Sequence, residues 1–186
     1  MNLNFFIRSF FALCRRSLKA IFCIVIFIGS SSFQVKNEIS EPTIKALFIY
    51  NFTKYIEWPV EKNHAHIVIG FYGPSAVIDE LKKICANKKV KERDLEIREA
   101  NDASEAEKCD VFFIPRNESS VFKYLNEQLQ GKGVLIVTEE KGMAQKGSSI
   151  NIIEVDDKIR FELNENSVKQ AGLKISSQLL TLAIKI

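Results

Sequence analysis

The chain has 186 residues, 46% hydrophobic and 26% charged, with a formal net charge of +3 and a pI near 8.6. The basic balance comes from its first 33 residues, whose four cations (Arg8, Arg15, Arg16 and Lys19) are accompanied by no acid; without them the charge is about −1. No dense Lys/Arg stripe remains, which removes the main sequence support for nucleic-acid binding.

In residues 1–33 the cations precede the apolar run Ala20 to Ile28 and the small residues Gly29-Ser30-Ser31-Ser32. A positive start, a short apolar stretch and small residues describe a cleavable secretory signal, so the mature protein is expected to be periplasmic. The run is short for a membrane span, and an uncleaved anchor is the alternative. Cys23 lies inside the run, which argues against a lipoprotein, and Arg15-Arg16 is a loose twin-arginine pattern. We expect a signal peptide over 1–33, a linker over 34–41 and one α/β domain over 42–186.

The segment Ile44 to Pro59, IKALFIYNFTKYIEWP, holds the chain's one Trp. Ile44, Leu47, Phe48, Asn51, Phe52, Tyr55 and Trp58 recur at three- and four-residue spacing, with Lys45, Lys54 and Glu57 between them, predicting an amphipathic helix with an aromatic face. Ser40 is a suitable N-cap, Glu41 suits the helix dipole, Pro42 fits the first turn, and Pro59 ends the helix after Trp58. Most of the aromatic face is expected to be core. Tyr50, Tyr55 and Trp58 are the candidate partner-binding anchors.

Beyond it, apolar β-rich runs alternate with helical patterns. Strands are expected at 66–72, 95–98, 111–114, 134–138, 149–155 and 159–163, and helices at 75–85, 121–129, 141–145 and 167–184. IVIGF, VFFI and VLIVT are apolar on both faces, as in strands buried between helical layers, and Asp156-Asp157 reads as a hairpin turn. The expected fold is α/β: a single three-layer domain with a mixed, mostly parallel sheet flanked by helices. Gly172 is expected to interrupt the last helix, Asn164 to cap it, and Ser176-Ser177 to let it pack closely on the sheet. Gly142 and Gly147 read as turn glycines.

The first segment resembles the opening of the YfiR/HmsC-like family of small exported regulatory proteins. Residues 161–183, FELNENSVKQAGLKISSQLLTLA, resemble the family's closing strand and helix, and Cys109 to Pro115, CDVFFIP, its cysteine-bearing central strand. The resemblance implies a non-catalytic periplasmic protein that binds the exported part of an inner-membrane signalling protein. The implied partner is a diguanylate cyclase, repressed so that cyclic di-GMP output and biofilm formation fall, and the implied assembly is a homodimer.

Cys14 and Cys23 belong to the leader, leaving Cys85 and Cys109 for one disulfide in an oxidising compartment. Such a bridge would stabilise the fold by about 3.5 kcal/mol on a chain-entropy account. A permanent staple is preferred to a redox sensor because neither cysteine lies in a CxxC pattern. Some members of the resembled family carry a second cysteine pair, which this chain lacks.

No catalytic site, metal or cofactor is expected. Gly70-Phe71-Tyr72-Gly73-Pro74-Ser75 lacks the third glycine of a dinucleotide loop, and Pro74 has no N–H for a phosphate. His64 and His66 could begin a metal site but have no evident partner ligand. The alternative function is a periplasmic small-ligand binding module reporting to a membrane receptor. Its pocket would lie at the carboxyl ends of the parallel strands, after Phe71, Ile114 and Thr138.

Overall fold

In the computed structural model, residues 39–59 and 65–186 are described. The expected signal peptide, Cys14, Cys23 and His64 lie outside them. Helix α1 (Glu41–Tyr55) starts as expected: the Ser40 hydroxyl accepts the Thr43 N–H at 3.4 Å and Pro42 occupies the first turn. It stops earlier than Pro59 suggests. Ile56 turns extended, and β1 (Ile56–Glu57) pairs antiparallel with β9 (Lys174–Ile175), so Trp58 follows a strand rather than ending a helix.

The remaining elements in chain order are β2 (His66–Phe71), α2 (Ala76–Cys85), β3 (Lys89–Val90), β4 (Arg93–Glu99), α3 (Ala103–Glu107), β5 (Val111–Ile114), a 3₁₀ turn (Arg116–Val121) and α4 (Phe122–Gln128). They are followed by β6 (Leu135–Thr138), β7 (Ile150–Val155), β8 (Lys158–Leu163), α5 (Glu165–Gln170), β9, α6 (Ser177–Leu182) and β10 (Ile184–Lys185). The main sheet has eight strands in the order β10-β8-β7-β6-β5-β2-β4-β3. β4, β2, β5, β6 and β7 are parallel, β8 returns antiparallel through the Asp156-Asp157 hairpin, and β3 is antiparallel at the far edge. Both hairpin aspartates have positive φ, 50° and 56°, the left-handed pair that a two-residue turn with the strands' twist requires. The fold is therefore a three-layer α/β domain with a mixed, mostly parallel sheet.

Alternation along the central strands divides the core in two. Ile67, Ile69, Phe71, Val111, Phe113, Leu135 and Val137 face α1, α2 and the C-terminal helices, whereas Val68, Phe112, Ile114 and Ile136 face α3 and α4. Burial on both faces explains the uninterrupted apolar runs.

The buried face of α1 is not the expected stripe. Lys45, Ala46, Ile49, Tyr50, Phe52 and Thr53 are buried, while Leu47 is exposed. The helix is apolar around most of its circumference and contacts both α2 and β8, so spacing alone could not orient it. Residues 141–147 form turns, not the expected helix, with Gly142 and Gly147 at positive φ. Gly172, at φ +77°, divides the expected last helix into α5 and α6. Asn164 caps α5, accepting the Ser167 N–H at 3.0 Å. Ser176, expected to aid close packing, instead caps α6 through the Leu179 N–H at 3.3 Å.

Candidate functional site

The two end segments of the domain meet. Ile56 pairs with Ile175, the Ser176 N–H donates to Tyr55 O at 3.0 Å, and the Phe52 and Phe161 rings contact edge to face at 5.1 Å. Phe48 adds a second edge contact to Phe161 at 5.4 Å. Beside this aromatic cluster runs an apolar cleft of about 310 Å³, walled by Phe48, Asn51 and Tyr55 of α1, Ile159 of β8 and Leu182 of α6. Leu182 is 66% exposed, which leaves a large apolar side chain on the rim. An apolar cleft with an exposed apolar rim is a surface suited to receive another protein's side chains.

The three candidate anchors part company. Tyr55 lines the cleft and is half-buried. Trp58 lies away from its lining; its indole N–H donates to Asp110 O at 3.0 Å and braces the start of β5. Tyr50 is buried, at 9% exposure, with the Lys54 and Lys88 ammonium groups 4.0 and 5.1 Å from its ring centre. Tyr50 is therefore a core residue in this conformation, and its assignment as an anchor is withdrawn. A tyrosine at helical spacing looks the same in sequence whether the turn faces the core or the solvent.

The expected Cys85–Cys109 bridge is not formed. Cys85 ends α2 in the core on one side of the sheet, and Cys109 precedes β5 in the core on the other, so the sheet stands between the sulfurs. Burial, opposed by Lys88, pushes the Cys85 thiol up to about 11, which makes it a poor nucleophile. A Cβ on Gly70 would lie 2.5 Å from Cys109 Sγ, so this strand glycine makes room for the sulfur.

At the carboxyl ends of the parallel strands, Arg116, Glu139, Glu140, Lys141, Ile153, Glu154, Val155 and Glu162 border a cleft of about 520 Å³. The loops after Ile114 and Thr138 contribute as expected. The loop after Phe71 does not, because the Tyr72 N–H donates to Phe113 O at 2.9 Å and folds it onto the neighbouring strand. A buried ion pair closes the floor: Lys45 of α1 meets Glu139, and also Glu41 at 2.6 Å, while the Arg116 N–H donates to Glu139 Oε1 at 3.0 Å. Sequence spacing placed Lys45 among the polar residues between the aromatics and gave no sign that it is buried. Beside it, the Thr138 hydroxyl donates to Asn151 Oδ1 at 2.8 Å, and Asn151 Nδ2 to Glu162 at 2.9 Å. The cleft is ordered, and its charges are largely engaged with one another.

Among the described residues no group of three or more His, Cys, Asp or Glu side chains could hold a metal, and no helix is long and apolar enough to cross a membrane. His66 opens β2 and is exposed.

A YfiR/HmsC-like family model matches residues 42–184, which includes every element from α1 to β10 apart from their outermost residues. The chain belongs to the YfiR/HmsC-like family. At that level it is a periplasmic regulator in class. Within this YfiR/HmsC-like domain the two end segments that carry the resemblance are those joined through β1 and β9 and walling the apolar cleft. No curated protein matches the chain in sequence. Among solved structures it is similar to a conserved domain protein from Vibrio cholerae O1 biovar El Tor, with 13% identity over 80% of this chain and 60% of that one and a TM-score of 0.50. A weaker likeness, with a TM-score of 0.44 and 12% identity, covers 64% of this chain and 54% of a Streptococcus ABC domain solved with L-Trp. The chain thus spans 54–60% of the lengths of these two proteins, and at 13% identity the likeness to the Vibrio protein concerns the fold alone.

Proposed function

We propose that this protein is a non-catalytic periplasmic regulator that binds and represses an inner-membrane diguanylate cyclase through the cyclase's exported part, lowering cyclic di-GMP and biofilm formation. Membership of the YfiR/HmsC-like family carries this reading. The meeting of the two end segments supports a surface for it: the cleft between α1, β8 and α6, with Tyr55 as anchor and Leu182 on its rim. Trp58 acts from the side by fixing the chain that follows β1. We take the working unit to be a homodimer, the domain to begin at residue 42 after the linker, and residues 1–33 to be the export signal.

In-cell crosslinking of the tagged, exported protein followed by mass spectrometry tests the partner. Recovery of a membrane protein bearing a cyclase domain, with cyclic di-GMP rising several-fold on deletion of the regulator, is the expected result. Recovery of self-crosslinked protein alone, with unchanged cyclic di-GMP on deletion, would overturn the proposal.

A further inference from the structure

A further cavity lies on neither surface discussed above. Helix α3 has only five residues and leaves part of the β2–β4 face uncovered. The result is a groove of about 860 Å³ lined by His66 and Val68 of β2, Glu96 and Arg98 of β4, Ser104, Glu107 and Lys108 at α3, and Lys132 between two glycines before β6. Its cations outnumber its acids, and both acids are already engaged. Glu96 lies 3.5 Å from Arg98 Nη1, and Glu107 lies 3.1 Å from Lys132 Nζ. Lys108 makes no ion pair among the described residues.

The decisive atom is Arg98 Nε. It is buried and has no hydrogen-bond partner among the described residues, although another nitrogen of the same guanidinium approaches Cys109 Sγ at 4.0 Å. A buried guanidinium N–H without an acceptor costs desolvation energy that no described residue of the groove returns. Arg presents its N–H groups as a planar fork matched to the paired oxygens of a carboxylate or phosphate.

We propose that the β2–β4 groove binds a small solute carrying a carboxylate or phosphate group, with the oxyanion seated on Arg98 and steered by Lys108. Val68 supplies an apolar floor and Ser104 a hydroxyl for the remainder of the solute. The site is separate from the apolar cleft, so this inference stands independently of the cyclase reading.

Titration of the isotopically labelled protein with inorganic phosphate, and separately with succinate, followed by heteronuclear NMR at constant ionic strength set with sodium chloride, tests it. At least one anion should produce saturable shifts centred on Arg98 Nε–H, Ser104 and the amides around Lys132. Affinity should fall tenfold or more in Arg98→Gln and about threefold in Lys108→Ala. Saturation by phosphate alone would assign a phosphoryl ligand, and by succinate alone a carboxylate. If neither anion saturates, if sodium chloride alone reproduces the shifts, or if Arg98→Gln binds as the wild type does, the proposal is wrong. Arg98→Lys, which keeps the charge and loses the fork, provides a second variant should Arg98→Gln fold poorly.

Discussion

Gly70 and Cys109 share one space: a methyl group on Gly70 would stand 2.5 Å from the Cys109 sulfur and 3.0 Å from the Phe112 ring. The glycine sits near the C-terminal end of β2, paired on both sides with β4 and β5, where a missing side chain would ordinarily weaken packing. Its absence of a Cβ is matched to a sulfur from the next strand's approach. Gly70→Ala should therefore destabilise the domain by about 1–3 kcal/mol through overpacking. Combining it with Cys109→Ala should recover much of that loss, a non-additivity expected of two groups competing for one volume. Urea unfolding of the two single variants and the double variant checks this, and simple additivity would show that the contact does not set the cost.

The sulfurs make a second prediction. With Cys85 and Cys109 in cores on opposite faces of the sheet, both should be protected from a thiol reagent in the native protein, and non-reducing peptide mapping should find no peptide pair joined through Cys85 and Cys109. The Cys85 thiol, pushed up to about 11 by burial, should be protonated at pH 8 and slow even during partial opening. Recovery of a peptide pair joined through Cys85 and Cys109 would restore the bridge.

Lys45 ties α1 to the end of β6 through Glu139. Lys45→Met leaves the buried Glu139 carboxylate without its cation and should cost about 3 kcal/mol, whereas Lys45→Met with Glu139→Leu should recover most of the loss. Burial alone would lower the lysine's pKa, but hydrogen bonds to Glu139 and Glu41, with their charges, raise it above 10.5. Its contribution is therefore complete below 10.5 and is lost as pH rises through the folded-state value. Glu41, held below 4.5 chiefly by its hydrogen bond to Lys45, contributes above 4.5 and loses that contribution as pH falls through its own folded value. Chemical denaturation across pH should show both flanks in the wild type, and both should flatten in Lys45→Met.

For the proposed partner, Tyr55→Ala and Leu182→Asp should relieve repression and raise cyclic di-GMP toward the level of the deletion strain. Leu182→Asp, at an exposed position, should change stability by about 0.5 kcal/mol or less. Tyr50→Ala should act differently: it removes a core side chain, costs several kcal/mol, and lowers the amount of protein. Cyclic di-GMP measured alongside protein level separates loss of contact from loss of fold.

Much of the domain is legible in the sequence. The runs 67–71, 111–114 and 135–137 carry no charged or polar side chain at any pleat, a pattern that a sheet covered on both faces explains, and Asp156-Asp157 between two strand patterns specifies a hairpin. Capping by Ser40 and Asn164 depends on hydroxyl or amide groups a few residues from their targets, so local sequence was sufficient. The short strands β1, β9 and β10 carried no such signal. Two residues set no period, and each of these strands exists because a distant partner supplies its hydrogen bonds.

The sequence by itself determined the alternation of strands and helices, the turns, the caps and the family, because these depend on periodicity, on side chains close along the chain, or on ordered motifs. Only the tertiary structure decided which side of α1 is buried, that Cys85 and Cys109 are held apart, that Lys45 finds Glu139, and that Arg98 lines a groove while its Nε has no acceptor among the described residues. Each of these is a meeting, or a separation, of residues far apart in the chain, set by which face of the sheet each strand and helix presents.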